Sequence, residues 1–135
     1  MSNSKTAESK EMYLETILQL GKKQPNLHAV DVANAMGFTK PSVSIAMKNL
    51  REEEYITIDE ESHIHLTEKG RKLADTIYDR HRSLTAIFES LGVSPEISEA
   101  DACKIEHVIS DETFQAIKAH AIRHGILCDQ TENAD

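Results

Sequence analysis

Three side chains in the C-terminal half could bind a metal ion together. Cys103, Glu106 and His107 are spaced i, i+3 and i+4, so all three project from one face if the segment is helical. A thiolate, a carboxylate and an imidazole form a suitable set of ligands for a divalent transition metal. The same spacing also fits a helix with one buried cysteine and a solvated Glu–His pair. Taken alone, the triplet favours this simpler interpretation.

Length and composition indicate a globular protein of one domain or two small ones. The 135 residues are 39% hydrophobic and 28% charged, enough to bury a core. No apolar run approaches the roughly 18 residues that a membrane span needs, and the N-terminus lacks the apolar stretch of a signal peptide. Cys103 and Cys128 form neither a CxxC pair nor a disulfide framework. We therefore expect a cytoplasmic protein without membrane contact.

Charge is unevenly distributed along the chain. The formal net charge of −8 argues against generic nucleic-acid binding, because contacts to phosphates need lysine and arginine. Residues 1–72 hold 10 Lys and Arg against 11 Asp and Glu, a net charge of −1. Residues 73–135 hold 5 against 12, a net charge of −7. This asymmetry suits a DNA-reading half joined to a half that attracts cations.

Two short helices separated by a glycine-containing turn are predicted in the N-terminal half. The first spans His28–Met36, and the second starts at about Lys40. The pattern is typical of a helix-turn-helix, whose second helix enters the major groove of double-stranded DNA, although an ordinary corner between two helices fits equally well. The residues expected to face DNA are Thr39, Lys40, Pro41, Ser42, Ser44, Ile45 and Lys48.

A β-hairpin is predicted directly after these helices. Tyr55–Ile58 and His63–Leu66 alternate apolar and polar residues on either side of the turn-rich Asp59–Ser62. A helix-turn-helix followed by such a hairpin is a winged helix, a much more specific combination than either part. The tip of the wing is acidic, so we do not expect it to approach phosphates closely. His63 and His65 alternate on a strand with no evident companion ligands.

The remaining segments are predicted to be helical. A helix from about Ser9 to Leu20 is expected to end at Gly21, and a long helix follows the cap residue Thr67. Two shorter helices occupy the C-terminal half, and a polar tail over residues 129–135 is expected to be disordered. In the helix that carries the candidate ligands, the residues expected to pack inward are Ala102, Ile105, Val108 and Ile109.

The fold class that follows is mainly α. It comprises an N-terminal winged helix-turn-helix domain over residues 1–72 and a C-terminal helical domain over residues 73–135. No phosphate-binding glycine loop, HExxH or GxSxG motif is present in the sequence, so we expect no enzyme.

The chain resembles the diphtheria toxin repressor family, metal-dependent bacterial regulators of iron or manganese homeostasis. The resemblance rests on Glu11–Ile17, Pro41–Ser44 and Cys103–Ser110, with Asp79–Arg82 between them in the expected order. It implies a winged helix followed by a helical dimerisation and metal-binding domain, in the short form that lacks an SH3-like barrel. It also implies a homodimer that represses transcription at palindromic operators when Fe²⁺, or alternatively Mn²⁺, is bound.

The resemblance further implies a ligand set for the metal. Met12, Cys103, Glu106 and His107 match the regulatory site of iron-type members. Manganese-type members have Asp at the place of Met12 and Glu at the place of Cys103, so this set is softer and favours Fe²⁺. Two further matches come from a neighbouring or shared site, namely His81 and Glu15. A separate ancillary site is in doubt, because Thr85 and Glu99 replace its usual ligands.

On the DNA side, Pro41, Ser42 and Ser44 match residues at the groove, whereas Ile45 replaces a frequent Gln. The alternative function is a winged-helix regulator that senses an organic ligand or the oxidation of Cys103 and Cys128. From another class, the acidic half could store metal or catalyse a reaction, but no residue constellation suggests a substrate.

Overall fold

The computed structural model describes residues 2–128, and their side chains from Ser9 onward. The predicted disordered tail, residues 129–135, lies outside the described residues. The elements in chain order are α1 (Ser2–Lys23), α2 (Ala29–Met36), α3 (Lys40–Glu52), β1 (Ile56–Ile58), β2 (Ile64–Leu66), α4 (Glu68–Ser90), α5 (Pro95–Ile105) and α6 (Asp111–Arg123). They form two compact units, Met1–Ile77 and Tyr78–Asp135. The mainly helical fold class is confirmed.

The first helix continues past the glycine that was expected to end it. α1 runs to Lys23, so the predicted stop at Gly21 is wrong. A glycine ends a helix by adopting the left-handed conformation, but the positive-φ glycines among the described residues do not include Gly21. Packing explains the continuation, because Leu14, Ile17 and Leu18 form a buried stripe on this helix and tertiary packing outweighs a single glycine.

The helix-turn-helix forms as predicted. Gly37 follows α2 in the left-handed conformation, with φ 70°, and provides the turn. Thr39 then caps α3, because its hydroxyl oxygen accepts a hydrogen bond from the Ser42 N–H at 3.3 Å. The inward face of α3 consists of Val43, Met47 and Leu50, all buried. The opposite face of α3 is therefore left for solvent or a ligand.

The hairpin of the wing is antiparallel, with Ile56 opposite Leu66 and Ile58 opposite Ile64. Ile56 and Ile64 are buried and join it to the N-terminal core. The first turn of α4 lies directly against the base of the wing at Gly70. A Cβ atom there would lie 1.9 Å from the carbonyl oxygen of Tyr55, so this close approach requires glycine.

The C-terminal unit has its own core, formed by Leu84, Ala102 and Phe114. The partly buried residues packed against this core are Phe88, Ile105 and Ile109. Ser94 and Ser110 cap α5 and α6 through their side-chain oxygens. Val108 was expected to pack inward but is 68% exposed. It lies in the turn after α5 rather than in a continued helix, and this turn directs it away from the core.

Candidate functional site

The candidate ligands lie at the C-terminal end of α5 rather than within one helix. The helix ends at Ile105, so Glu106 and His107 lie in the turn that follows. Glu106 nevertheless keeps helical backbone angles, φ −58° and ψ −26°, and its N–H donates to the Ala102 carbonyl at 2.9 Å. The i, i+3, i+4 arrangement is therefore retained. One donor atom each of Cys103, Glu106 and His107 lies within 4.8 Å of the others.

The burial of these three residues is the reverse of the simpler interpretation. Cys103 is exposed, whereas the side chains of Glu106 and His107 are 0% and 1% exposed. A helix with a buried cysteine and a solvated Glu–His pair is therefore wrong for this chain. An isolated ionised carboxylate is very costly to bury, so buried carboxylates are paired or bind cations.

Two imidazoles flank the buried carboxylate of Glu106. The His81 Nδ1 lies 2.8 Å from one carboxylate oxygen, Oε2, and the His107 Nε2 lies 3.2 Å from the other, Oε1. His81 comes from α4, 25 residues earlier in the chain. Packing within the C-terminal unit thus places a second histidine against the carboxylate of the triplet read from the sequence.

This donor set fits a divalent transition metal. Imidazole nitrogen, carboxylate oxygen and thiolate sulfur are the protein ligands that such ions take. Here they occur together, with the carboxylate and one imidazole shielded from water and the thiol at the exposed side. The residues of the C-terminal unit that could hold a metal ion are His81, Cys103, Glu106 and His107.

Met12 and Glu15 lie on α1, in the N-terminal unit, and both are partly buried. They are three residues apart and so project from neighbouring positions on that helix. Their role as ligands stays a prediction from the resemblance.

The seven residues predicted to face DNA all lie on the exposed side of α3 or at its cap. Ile45 is 63% exposed and therefore presents an apolar side chain on this face. Thr39 and Ser42 are joined by a hydrogen bond between their hydroxyl oxygens, 2.9 Å apart, which orders the first turn of the helix. This face is a candidate nucleic-acid interface, and the role of each residue in it remains a prediction.

The sequence offered no companion for His63 and His65, but the structure supplies one. The Asp59 Oδ2 lies 2.9 Å from the His65 Nε2 and 3.5 Å from the His63 Nδ1. The hydrogen bond with His65, followed by one from the His63 backbone N–H, lowers the pKa of Asp59 to about 2. An aspartate at the start of a turn commonly accepts hydrogen bonds from nearby backbone N–H groups. The position of Asp59 in the sequence was therefore the signal that could have predicted this cluster.

The chain matches two family models that together span most of its length. "Iron dependent repressor, N-terminal DNA binding domain" matches residues 5–64. "Iron dependent repressor, metal binding and dimerisation domain" matches residues 67–121. These matches support a metal-responsive regulator over one that senses an organic ligand or cysteine oxidation.

Individual relatives agree with these models. The chain is 34% identical over 113 residues to the transcriptional regulator MntR of Escherichia coli O157:H7, covering 84% of this chain and 73% of that protein. It is 30% identical over 103 residues to the iron-dependent repressor IdeR of Mycobacterium tuberculosis, covering 76% of this chain and 45% of that protein.

Solved structures show the same fold. The manganese regulator SloR superimposes with a TM-score of 0.72 at 27% identity, covering 82% of this chain and 52% of that one. ScaR with bound Zn²⁺ gives a TM-score of 0.69 at 30% identity, with the same coverage of 82% and 52%. The chain thus spans about half the length of these solved chains. Within residues 2–128, no helix has the length and apolar character needed to cross a membrane. The chain belongs to the iron-dependent repressor family of metal-responsive transcriptional regulators, the diphtheria toxin repressor family that its motifs indicated.

Proposed function

We propose that the protein is a homodimeric repressor that binds palindromic operators of metal-homeostasis genes when Fe²⁺ is bound, with Mn²⁺ as the alternative metal. The observation that carries the proposal is the buried Glu106 carboxylate between two imidazoles, with the Cys103 thiol in the same cluster. Action on DNA would place the protein in the cytoplasm. The expectation that it is not an enzyme stays a prediction.

The proposed ligands are His81, Cys103, Glu106 and His107, with Met12 and Glu15 added on the resemblance alone. Relatives named for manganese and for iron both match this chain, so the choice of metal depends on its own donors. Cys103 offers a thiolate and Met12 a thioether, and such soft ligands favour later metals than Mn²⁺, which prefers carboxylates. This difference supports Fe²⁺.

Each side chain of the site has a distinct task. His81 forms a hydrogen bond with one oxygen of the buried Glu106 carboxylate, and His107 lies beside the other oxygen. Cys103 provides the donor at the exposed side. When bound, the metal supplies positive charge and Lewis acidity to a half of the chain whose net charge is −7. The metal raises operator affinity only if the conformation that binds DNA binds the metal more tightly than the conformation that does not. The increase in operator affinity cannot exceed this difference in metal affinity.

The exposed face of α3 is the proposed DNA contact. Lys40 and Lys48 would pair with phosphates, which position the helix without reading sequence. Ser42 and Ser44 would hydrogen-bond to base edges, and Ile45 would contact a thymine methyl group. In a dimer, two such helices would read half-sites one or more helical turns apart, each turn being about 34–36 Å.

The first test is an anaerobic thermal melt of chelator-stripped protein, alone and with Fe²⁺, Mn²⁺ or Zn²⁺. A ligand at 100 times its dissociation constant stabilises the folded state by about 2.7 kcal/mol, which raises the midpoint measurably. We expect a saturable rise, largest with Fe²⁺, that is absent in Glu106→Gln, a variant of nearly the same shape without the charge. No rise with any metal would overturn the proposed function.

Metal choice is tested separately by Met12→Asp and Cys103→Glu, which introduce the carboxylates of manganese-type relatives. We expect each variant to shift the ratio of Fe²⁺ to Mn²⁺ dissociation constants toward Mn²⁺, because hard oxygen ligands favour that ion. An unchanged ratio in Met12→Asp would remove Met12 from the ligand set.

A further inference from the structure

We infer that Arg80 is a positioning residue for the proposed metal centre and holds in place the turn that carries Glu106 and His107. The inference rests on the proposed function, because it concerns how the same site is organised. Arg80 donates its hydrogen bonds to two backbone carbonyls and to Asp111. It acts through the backbone of the turn.

The Arg80 guanidinium binds the turn at two points. Its Nη1 donates to the carbonyl oxygen of Glu106 at 3.2 Å and to that of Ile109, also at 3.2 Å. These two carbonyls lie at either end of the segment that links α5 to α6. Because the last carbonyls of a helix lack partners within it, a cationic donor at this end of α5 is stabilising. One side chain therefore joins both ends of this segment to α4.

The same guanidinium is anchored on its other side. Its Nη2 donates to the Asp111 Oδ1 at 3.3 Å, at the start of α6, and its central carbon lies 5.5 Å from the centroid of the Phe114 ring. The Arg80 side chain is only 13% exposed. The planar guanidinium of arginine can donate to several acceptors in fixed directions, as it does here. The single ammonium group of lysine cannot make the same set of hydrogen bonds.

Arg80 and His81 are consecutive residues of α4 that hold Glu106 at two places. Arg80 binds its backbone carbonyl, and His81 binds its carboxylate. A side chain fixed at both ends has little freedom to leave the productive position, so the ligand is ordered before the metal arrives. Loss of groups that orient metal ligands lowers metal affinity roughly 10–100-fold.

A matched control lies on the same aromatic ring. The Lys118 Nζ is 5.9 Å from the Phe114 centroid and pairs with the Asp79 Oδ2 at 2.7 Å, with 20% of its side chain exposed. Lys118 is thus a second partly buried cation that joins α6 to α4, but its ion pair does not involve the turn. Lys118→Met and Arg80→Met remove comparable charges, and only the latter releases the turn.

The experiment measures Co²⁺ binding, in competition with a chelator and by absorption spectroscopy, together with the melting midpoint of the chelator-stripped protein. We expect Arg80→Met to lower Co²⁺ affinity roughly 10–100-fold and to alter the ligand-field and thiolate bands. Lys118→Met should retain the wild-type affinity and spectrum whatever its melting midpoint. Arg80→Lys keeps a cation over the ring and should fall between wild type and Arg80→Met, which preserves the test if Arg80→Met does not fold.

Two outcomes overturn the inference. The first is wild-type affinity and spectrum in the Arg80 variants. The second is an equal loss of affinity in Arg80→Met and Lys118→Met, which would mean that general stability, not the turn, is responsible. Failure of the proposed function has a different signature, because wild type would then not bind Co²⁺ or Glu106→Gln would bind it equally well.

Discussion

Two carboxylates in this chain each lie beside two imidazoles, and their surroundings differ sharply. In the wing, Asp59 lies 2.9 Å from His65 and 3.5 Å from His63, with 39% of its side chain exposed. In the C-terminal unit, Glu106 lies 2.8 Å from His81 and 3.2 Å from His107, with its side chain 0% exposed. The residue types and distances are nearly the same. Burial is what separates the two clusters.

The difference decides which cluster needs an explanation in terms of function. Exposed ion pairs contribute little, because water screens them. Asp59 also has a local structural role, since its Oδ1 accepts the backbone N–H groups of Glu61 and His63, both at 2.9 Å. These hydrogen bonds within the turn of the wing therefore explain why an aspartate lies at position 59. The Glu106 side chain is fully buried, and burying a carboxylate carries a desolvation cost that the exposed Asp59 does not have.

The largest expected effect that would sharpen this comparison is on metal binding. Glu106→Gln should lower metal affinity by more than about 100-fold, because even groups that only orient ligands contribute roughly 10–100-fold. Asp59→Asn should leave it unchanged. Titration of both variants with Fe²⁺ and Mn²⁺ against a competing chelator measures this. If Asp59→Asn also loses affinity, the two carboxylates are not functionally distinct.

A smaller effect is expected on the stability of the chelator-stripped protein. His81→Ala removes a hydrogen bond to a buried charged group and should cost roughly 1.5–3 kcal/mol. His65→Ala, at a side chain that is 50% exposed, should cost clearly less. Urea unfolding at neutral pH gives both values. Equal losses would show that burial does not set the strength of these contacts.

The smallest effect is a pH dependence that arises in the wing. The pKa of Asp59 is lowered from 3.8 to about 2, so the folded state favours the charged carboxylate. The stability that this provides is present above the ordinary pKa and is lost as the pH falls from about 4 toward 2. Unfolding midpoints of wild type and Asp59→Asn should therefore converge over this interval. Curves that stay parallel would contradict it.

Sequence patterns predicted the elements whose signals are local. The cap residue Thr67, the glycine-containing turn at Gly37 and the alternation of the hairpin all depend on neighbouring residues. Gly21 failed as a stop signal because the buried stripe of α1 outweighs it.

The candidate site was predicted in composition but not in arrangement. The spacing of Cys103, Glu106 and His107 predicted that these side chains lie together, but Glu106 also meets His81, which lies 25 residues earlier in the chain. The role of Arg80 was equally hidden, because its hydrogen bonds to the turn span 26 and 29 residues. No local pattern encodes such contacts.

The two helical glycines of the N-terminal unit are expected to differ in how well they tolerate substitution. At Gly70, any other residue adds at least a Cβ atom, which would lie 1.9 Å from the carbonyl oxygen of Tyr55. Every substitution at this position is therefore expected to destabilise the fold. At Gly21, nothing lies within 4 Å of the same atom, and alanine would gain up to about 1 kcal/mol of helix propensity. A library of random variants selected only for folding should therefore retain glycine at position 70 and lose it readily at position 21.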